Sequence, residues 1–251
     1  MNGLEGKTAL VIGGSSGIGF ALAQGLADSG VGITIAARTR EKVETAAEAL
    51  KRLDPQALGL VADVTKREAI EHLGTTVTER RGVPDILINC QGTTVIRPAV
   101  EIAEEDYDRV MDTNLRSVFF CCTILGAAML ERRSGAIINI ASLAAHRGWP
   151  SASVYSMSKH GILGLTRTLA AEWAQQGVRV NSISPGFFLT ELNRDKMSEA
   201  RKRSALMRTP SNRFGEVEEL VGAARYLASD TAGFVTGTDI AVDGGYLAGG
   251  I

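Results

Sequence analysis

Short runs rich in Val and Ile recur along this chain, each followed by a longer stretch of helical periodicity, and that alternation constrains the fold more than any other feature. The apolar runs cover residues 8–12, 32–37, 57–61, 86–89, 136–141, 178–184 and 239–242. Capping and periodic signals predict helices over 39–53, 66–80, 104–130, 153–176 and 216–228, with a further helical run, FALAQGLADSG, after the first strand. Strands that read as continuous apolar runs are buried on both faces, so the pattern predicts a parallel sheet sandwiched between two helical layers. No internal repeat, low-complexity tract or linker divides the chain, which implies one domain over 1–251.

With 251 residues and 45% hydrophobic content the chain has enough apolar material for a large core. Its 27 basic and 28 acidic residues are interspersed and leave a formal charge of -1, which favours neither nucleic acid nor an anionic membrane surface. The amino terminus is polar and runs straight into the first strand, without the segments of a signal peptide. The longest apolar run, 118–130, is interrupted by Thr123 and Gly126 and falls short of the roughly 20 residues that cross a bilayer. A cytoplasmic protein without a membrane partner is therefore expected. Cys90, Cys121 and Cys122 lack metal-ligand spacing and read as buried reduced thiols, so no metal site is expected.

The first strand is followed by Gly13-Gly14-Ser15-Ser16-Gly17-Ile18-Gly19 and then a helix. Glycines let a backbone turn tightly against a pyrophosphate, whose charge then sits at the positive end of the helix. Gly13, Ser15, Ser16, Gly17, Ile18 and Gly19 are thus candidate cofactor contacts, and the fold expected is an α/β, single-domain Rossmann-type doubly wound parallel seven-stranded sheet with helices on both faces. The second strand ends in Ala37-Arg38-Thr39, without the acid that would grip the ribose 2′-hydroxyl of NAD. A guanidinium at Arg38, next to Thr39, suits a 2′-phosphate, so NADP(H) is favoured over NAD(H), although Ser16 adds no second positive charge. Asp63, followed by Val64 at the end of the third strand, is placed to accept from the adenine amino group, or to cap the next helix.

Tyr155 and Lys159 form Y-x-x-x-K within a predicted helix, so both side chains project from one face a turn apart. A free tyrosine, with a pKa near 10, is a poor base; a nearby ammonium and the positive ring of an oxidised nicotinamide would both favour its phenolate. Ser142 closes the fifth strand at its carboxyl end, thirteen residues before Tyr155, where its hydroxyl would hold a substrate oxygen. Residues 187–215, carrying Met197, Met207, Pro210 and several charges, depart from the alternation and read as a substrate lid at the carboxyl ends of the strands.

Together with Asn114 in Asp112-Thr113-Asn114-Leu115 and Pro185-Gly186 after the sixth strand, these motifs make the chain resemble the short-chain dehydrogenase/reductase family over essentially its whole length. The resemblance implies a hydride-transferring oxidoreductase acting on a small carbonyl or alcohol. It implies Tyr155 as acid/base, Lys159 on the nicotinamide ribose and lowering the tyrosine pKa, Ser142 orienting the carbonyl, and Asn114 supporting a water-linked proton relay. It also implies cofactor contacts from Asn89, Gly92, Tyr155 and Lys159, and from Pro185, Gly186, Phe188 and Thr190 around the carboxamide. The chain departs from the family pattern at Ile12, where Thr is usual, and at Asn89-Cys90-Gln91-Gly92 in place of Asn-Asn-Ala-Gly. These changes put in question the bonds between the cofactor loop and the fourth strand, and Gln91 is expected near the adenosine ribose.

His146, Arg147 and Trp149 follow Ser142, while Asn193, Arg194 and Arg208 lie in the lid, and together they suggest a polar or carboxylated substrate. Residues 208–251 look most like the gluconate-type sugar-acid dehydrogenases and 3-oxoacyl reductases of the family. Apolar surface on 118–130 and on the Tyr155 helix asks for burial in an oligomer, and the resemblance implies a homotetramer; a dimer satisfies the same sequence argument. Two rival readings are a nucleotide-sensing protein without turnover, which would be expected to lack a catalytic residue, and a dehydratase or epimerase, which would be expected to be longer.

Overall fold

Strand β1 (Thr8–Ile12) lies inside a seven-stranded sheet in the computed structural model, which describes residues 3–189 and 199–249. β2 (Gly32–Ala37) and β3 (Leu58–Val61) extend the sheet on one side of β1. On the other side follow β4 (Ile86–Asn89), β5 (Gly135–Ile140), β6 (Val178–Pro185) and β7 (Asp239–Val242). All neighbours pair in parallel, in the order β3-β2-β1-β4-β5-β6-β7, so the strand order reverses beside β1 and opens a crevice at the carboxyl ends of β1 and β4. This is the doubly wound sheet that the alternation predicts.

The strands are buried because both faces are covered. Val11, Ile33, Ile35, Ile88 and Ile138 pack against α1 (Gly17–Ala27), α2 (Arg40–Leu50) and α9 (Val221–Ala228). Leu10, Ile12, Leu87, Ile137 and Val180 meet α3 (Arg67–Arg81), the long helical stretch Glu104–Arg132 and α7 (Ser153–Trp173) on the opposite face. Each such side chain removed from water contributes about 1.5–3 kcal/mol, which is why a period-2 strand with two apolar faces commits to the centre of the molecule.

Strand boundaries follow the predicted ones to within a residue, but three helical features differ. The stretch Glu104–Arg132 is a continuous 29-residue helix, longer than its apolar core. It comprises α4 (Glu104–Met111), a π turn at Asp112–Arg116, α5 (Ser117–Phe120), a second π turn at Cys121–Leu125 and α6 (Gly126–Arg132). By length and composition alone it would cross a bilayer, yet half of its apolar window is buried, with Cys121, Cys122 and Met129 inaccessible beneath the sheet, as befits a core helix. Within the expected lid, α8 (Glu199–Arg208) is a helix that the sequence does not announce, because only Ala205 of its ten residues is buried and no apolar stripe exists to be read. Residues 216–228 begin as a 3-10 turn, Val217–Leu220, entered through a capping box between Glu216 and Glu219.

Candidate active site

The glycine loop leaves β1 with Gly13 at φ +76°, and a Cβ there would lie 2.9 Å from the backbone nitrogen of Gln91. A Cβ on Gly19 would run into the carbonyl oxygen of Gly13. Both positions therefore require glycine, and the bare backbone at the start of α1 fits a pyrophosphate. The loop is tied down entirely by main chain: Gly13 N–H donates to Ala36 C=O at 2.7 Å and Cys90 N–H to Ile12 C=O at 3.0 Å. Ile12, wholly buried, thus keeps the bond between the cofactor loop and β4 without the hydroxyl of the family's usual Thr.

Arg38 and Thr39 are exposed where β2 ends. Asp63 stands at the neighbouring edge, but one carboxylate oxygen accepts from the N–H and hydroxyl of Thr65 at 3.1 and 2.8 Å, closing a turn. The residue that caps α3 is Lys66, so of the two roles foreseen for Asp63, the helix cap is a tight turn instead. Val64 is buried in the core. Ser15, Ser16, Gly17 and Ile18 line the loop at its partly open surface.

Beside the loop, β4 and β5 place Asn89 opposite Asn139. Asn89 Nδ2 donates to Asn139 Oδ1 at 2.9 Å and to Cys122 Sγ at 3.3 Å, while Asn139 Nδ2 donates to Thr166 at 3.0 Å. The Asn89 side chain is thus a strut between sheet and helices, 1% exposed, and faces away from the crevice. Gln91 corrects a second expectation. Its amide turns inward to Ser117 Oγ at 3.0 Å rather than toward a ribose, because the π-distorted helix presents a hydroxyl there.

Asn114 sits in the first π turn and is fully buried. Its Oδ1 accepts from Thr93 N–H at 2.7 Å, and its Nδ2 donates to Thr93 C=O at 2.9 Å and Ser158 Oγ at 3.1 Å. The side chain clamps the segment after β4 to α7, one residue beyond Gly92, whose missing side chain keeps the approach to Lys159 open. π turns of this kind put a side chain where a regular helix would not.

Ser142, Tyr155 and Lys159 converge at the carboxyl end of β5. Lys159 is 4% exposed, its Nζ donates to Ile140 C=O at 2.8 Å, and it lies 5.8 Å from the centre of the Tyr155 ring. Burial pushes its pKa down to about 8, against a weaker upward pull from Cys90. Ser142 Oγ accepts from Ala144 N–H at 3.2 Å, which leaves its own proton to donate. Burial raises the Tyr155 phenol above the ordinary tyrosine value, Ser142 drawing it down and Cys90 pushing it up to a lesser degree. In the protein alone, desolvation of the phenol dominates. The cysteines are free thiols, Cys121 and Cys122 buried and Cys90 half-buried, with Cys90 and Cys122 pushed up to about 12 by desolvation, and no cluster suited to a metal exists among the described residues.

The polar loop after Ser142 is used otherwise than expected. His146 Nε2 meets Asp239 at 2.9 Å and Ser184 at 3.1 Å, joining β6 to β7. Arg147 donates to the carbonyls of Leu247 and Gly249 at 3.0 and 3.2 Å. Each binds a partner remote in sequence, and Arg147 also lines a cavity beside Ser142. Pro185 and Gly186 end β6, with Gly186 N–H donating to Val242 C=O at 2.9 Å. Phe188 is 6% exposed in the core and bridges to Gly215. Thr190, Asn193, Arg194 and Met197 lie outside the described residues.

A cavity of about 90 Å3 opens beside Ser142, between the loop at Leu143 and Trp149, the turn at Phe187, α8 and Tyr246. Sequence reading missed Tyr246, Arg201 and Ser204 here, for no local signal marks them. The larger cavity, about 490 Å3, lies at the opposite, amino ends of the strands among Lys7, Asp54 and Arg81, and includes none of the predicted site residues.

The comparisons with known proteins agree with this arrangement. A family model described as enoyl-(acyl carrier protein) reductase matches residues 12–247. D-threitol dehydrogenase of Mycolicibacterium smegmatis is 37% identical over 243 residues, 97% of this chain and 94% of that protein. The chain belongs to the short-chain dehydrogenase/reductase family. Within it, a 3-oxoacyl-[acyl-carrier-protein] reductase of Staphylococcus epidermidis is 35% identical over 95% of this chain and 98% of its own. A crystal structure of a gluconate 5-dehydrogenase from Burkholderia cenocepacia in complex with NADP and tartrate is 35% identical, with a TM-score of 0.94 and coverage of 98% of this chain and 97% of that one. The protein is accordingly an oxidoreductase acting on CH–OH and carbonyl groups.

Desolvation of Lys159 has a consequence for stability. The unfolded chain holds this proton up to pH 10.5, the folded protein only up to about 8, so the unfolded state binds more protons in between and stability rises with pH across that window. Urea unfolding of the wild type and Lys159→Met is expected to show the wild type gaining up to about 3 kcal/mol relative to the variant between pH 8 and 10.5. A difference that does not change with pH would contradict the burial argument.

Proposed function

We propose that the chain is an NADP(H)-dependent oxidoreductase that interconverts a ketone and a secondary alcohol with Tyr155 as acid/base, on a polar substrate of sugar-acid, keto-acid or 3-oxoacyl type. The observation that carries this reading is the meeting of Ser142, Tyr155 and Lys159 at the carboxyl end of β5, beside a cavity and within reach of the glycine loop's crevice. When bound, the nicotinamide supplies hydride chemistry at its C4. Ser142 donates its hydroxyl proton to the substrate oxygen, holding it against Tyr155. With its pKa raised, the phenol is protonated at neutral pH, the state in which it delivers a proton to that oxygen during reduction. In oxidation Tyr155 must accept a proton, and the Lys159 ammonium, a turn away, favours that state once its hold on Ile140 is shared with a ribose hydroxyl.

Arg38, exposed at the end of β2 where no acid stands, supports NADP(H) over NAD(H), as does the NADP held by the gluconate 5-dehydrogenase of similar fold. Gly13 to Gly19 would hold the pyrophosphate, Asp63 and Val64 the adenine, Asn89 and Gly92 the adjoining ribose through their backbone, and Pro185, Gly186, Phe188 and Thr190 the carboxamide. We extend the same reading to a cover over the substrate from residues 187–215, with α8 as its helical part. We extend it also to a cytoplasmic homotetramer, supported by Phe119 and Met157, 43% and 52% exposed on the helices flagged for assembly.

Tyr155→Phe should lower kcat by 10²- to 10⁴-fold, the range of a lost general acid, while leaving the dissociation constant of NADPH within about twofold. Steady-state kinetics beside a fluorescence titration of NADPH separates the two, and retention of more than about a tenth of the turnover would remove the tyrosine from the chemistry. For the cofactor, kcat/KM with NADPH should exceed that with NADH, and Arg38→Asp should reverse the order by supplying a ribose acceptor in place of the phosphate partner. Equal values for both cofactors in the wild type would show Arg38 to be a solvated residue only.

A further inference from the structure

Helix α8 carries Arg201, Ser204 and Arg208 at spacings of three and four residues, so one of its faces gathers two guanidiniums and a hydroxyl. That face lines the cavity beside Ser142, and Arg147 lines it from the loop after β5. No carboxylate stands among the described residues of the lining. The single acid of α8, Glu199, pairs with Lys202 at 2.8 Å instead. Asp243, in the turn that carries Tyr246, accepts from the N–H groups of Gly245 and Leu247, both at 2.8 Å. Three cations therefore share one space without a counter-charge from the lining, and a cleft lined by one sign of charge concentrates ions of the other.

The structural tasks of these side chains do not use up their donors. Arg147 holds the carbonyls of Leu247 and Gly249 through Nη2 alone, at 3.0 and 3.2 Å, so Nε and Nη1 keep their protons for a ligand. The Arg201 guanidinium lies over the Trp149 ring, 5.3 Å from its centre, which sets that charge at the edge of the cavity. The Arg208 guanidinium and the Ser204 hydroxyl make no hydrogen bond or ion pair among the described residues. Packing does not account for the arrangement either. Only Ala205 of α8 is buried, so what this helix brings to the cavity is charge.

We infer that Arg147, Arg201, Ser204 and Arg208 form the seat of a carboxylate, so that the substrate is a ketone or alcohol carrying a free acid. The inference rests on the reading of the Ser142–Tyr155–Lys159 site as one that turns over ketones, and decides among its substrates. Sugar acids and keto acids bring the charge, whereas the acyl part of a 3-oxoacyl thioester is neutral. At about 90 Å3 the cavity is well below the roughly 300 Å3 at which pockets for a whole drug-sized ligand begin, so it takes a head group only. Neither Ser142 nor Tyr155 lines it, which leaves the reacting carbon outside, against those two residues, while the acid sits among the guanidiniums. Bonds from a guanidinium to a carboxylate are roughly twice as strong as those between neutral groups, and that difference is what selects the acid.

Pairs of keto acid and keto amide test this: 4-oxopentanoate with 4-oxopentanamide, and 5-oxohexanoate with 5-oxohexanamide, each pair alike in shape and different in charge. Binding to the NADP+ complex is read by calorimetry, and turnover by NADPH oxidation. In the wild type the acid of at least one pair should bind about tenfold tighter than its amide and show the higher kcat/KM. Arg208→Gln should cut that preference to within about threefold, Arg208→Lys should keep most of it, and Arg208→Glu should abolish or invert it. Arg208 is exposed at the last residue of α8, so these changes leave the fold intact, and NADP+ affinity should stay within about twofold. Amides bound as tightly as the acids, an acid preference that survives Arg208→Glu, or binding of none of the four probes would overturn the inference. Inorganic phosphate bound more tightly than either acid, and released by Arg208→Gln, would overturn the assignment to a carboxylate. Turnover of acids and amides alike would leave the ketone chemistry standing and remove the seat. An acid preference in binding, lost in Arg208→Gln, without turnover of any probe would support the seat and contradict the ketone chemistry.

Discussion

The hydrogen bond from the Lys159 ammonium to the carbonyl of Ile140 is the contact on which the site depends. It joins the face of α7 that carries Tyr155 to the carboxyl end of β5, one residue before the turn to Ser142. A charge so deeply buried is costly unless paired, and the cost appears as a pKa pushed down to about 8. That cost is accepted because the geometry permits nothing else: helix α7 packs its apolar stripe, Ile162, Leu163 and Leu169, against the sheet, and the same rotation turns Lys159 inward.

Around this contact the molecule places polar side chains in pairs that lock neighbouring layers. Asn89 and Asn139 are opposite each other because β4 and β5 pair in that register, and they continue into α7 through Thr166. Asn114 reaches Thr93 and Ser158 only because a π turn moves it out of the regular helical track. These buried amides hold the crevice open and rigid while the groups facing it, the glycine backbone, Ser142 and Tyr155, remain able to bind. In the proposed chemistry, preorganisation of this kind would let the phenol and the hydroxyl act on one oxygen without first having to find it.

The sheet was legible because its inner strands carry apolar runs, as in Ala9 to Ile12 of β1 and Ile86 to Ile88 of β4. The glycine loop and the Tyr155–Lys159 pair were legible from short spacing within one segment, and Ser142 from its place just after β5. The bonds of Arg147 to the C-terminal segment, and Tyr246 beside the cavity, were not legible because they join parts of the chain about a hundred residues apart that no local pattern connects. α8 was missed because a helix that buries only Ala205 has no stripe. The raised Tyr155 pKa of the protein alone was not legible, because desolvation of the phenol is set by packing across distant elements and not by local spacing.

The proposed chemistry depends on the protonation of Tyr155. An ultraviolet difference titration of the wild type against Tyr155→Phe, over about pH 8 to 12, isolates the phenolate of this one residue. In the protein alone the phenol should ionise above the ordinary tyrosine value of about 10, and binding of NADP+ should bring its midpoint down. A midpoint at or below about 10 in the protein alone, unmoved by NADP+, would contradict both the burial of the phenol and its assignment as the acid.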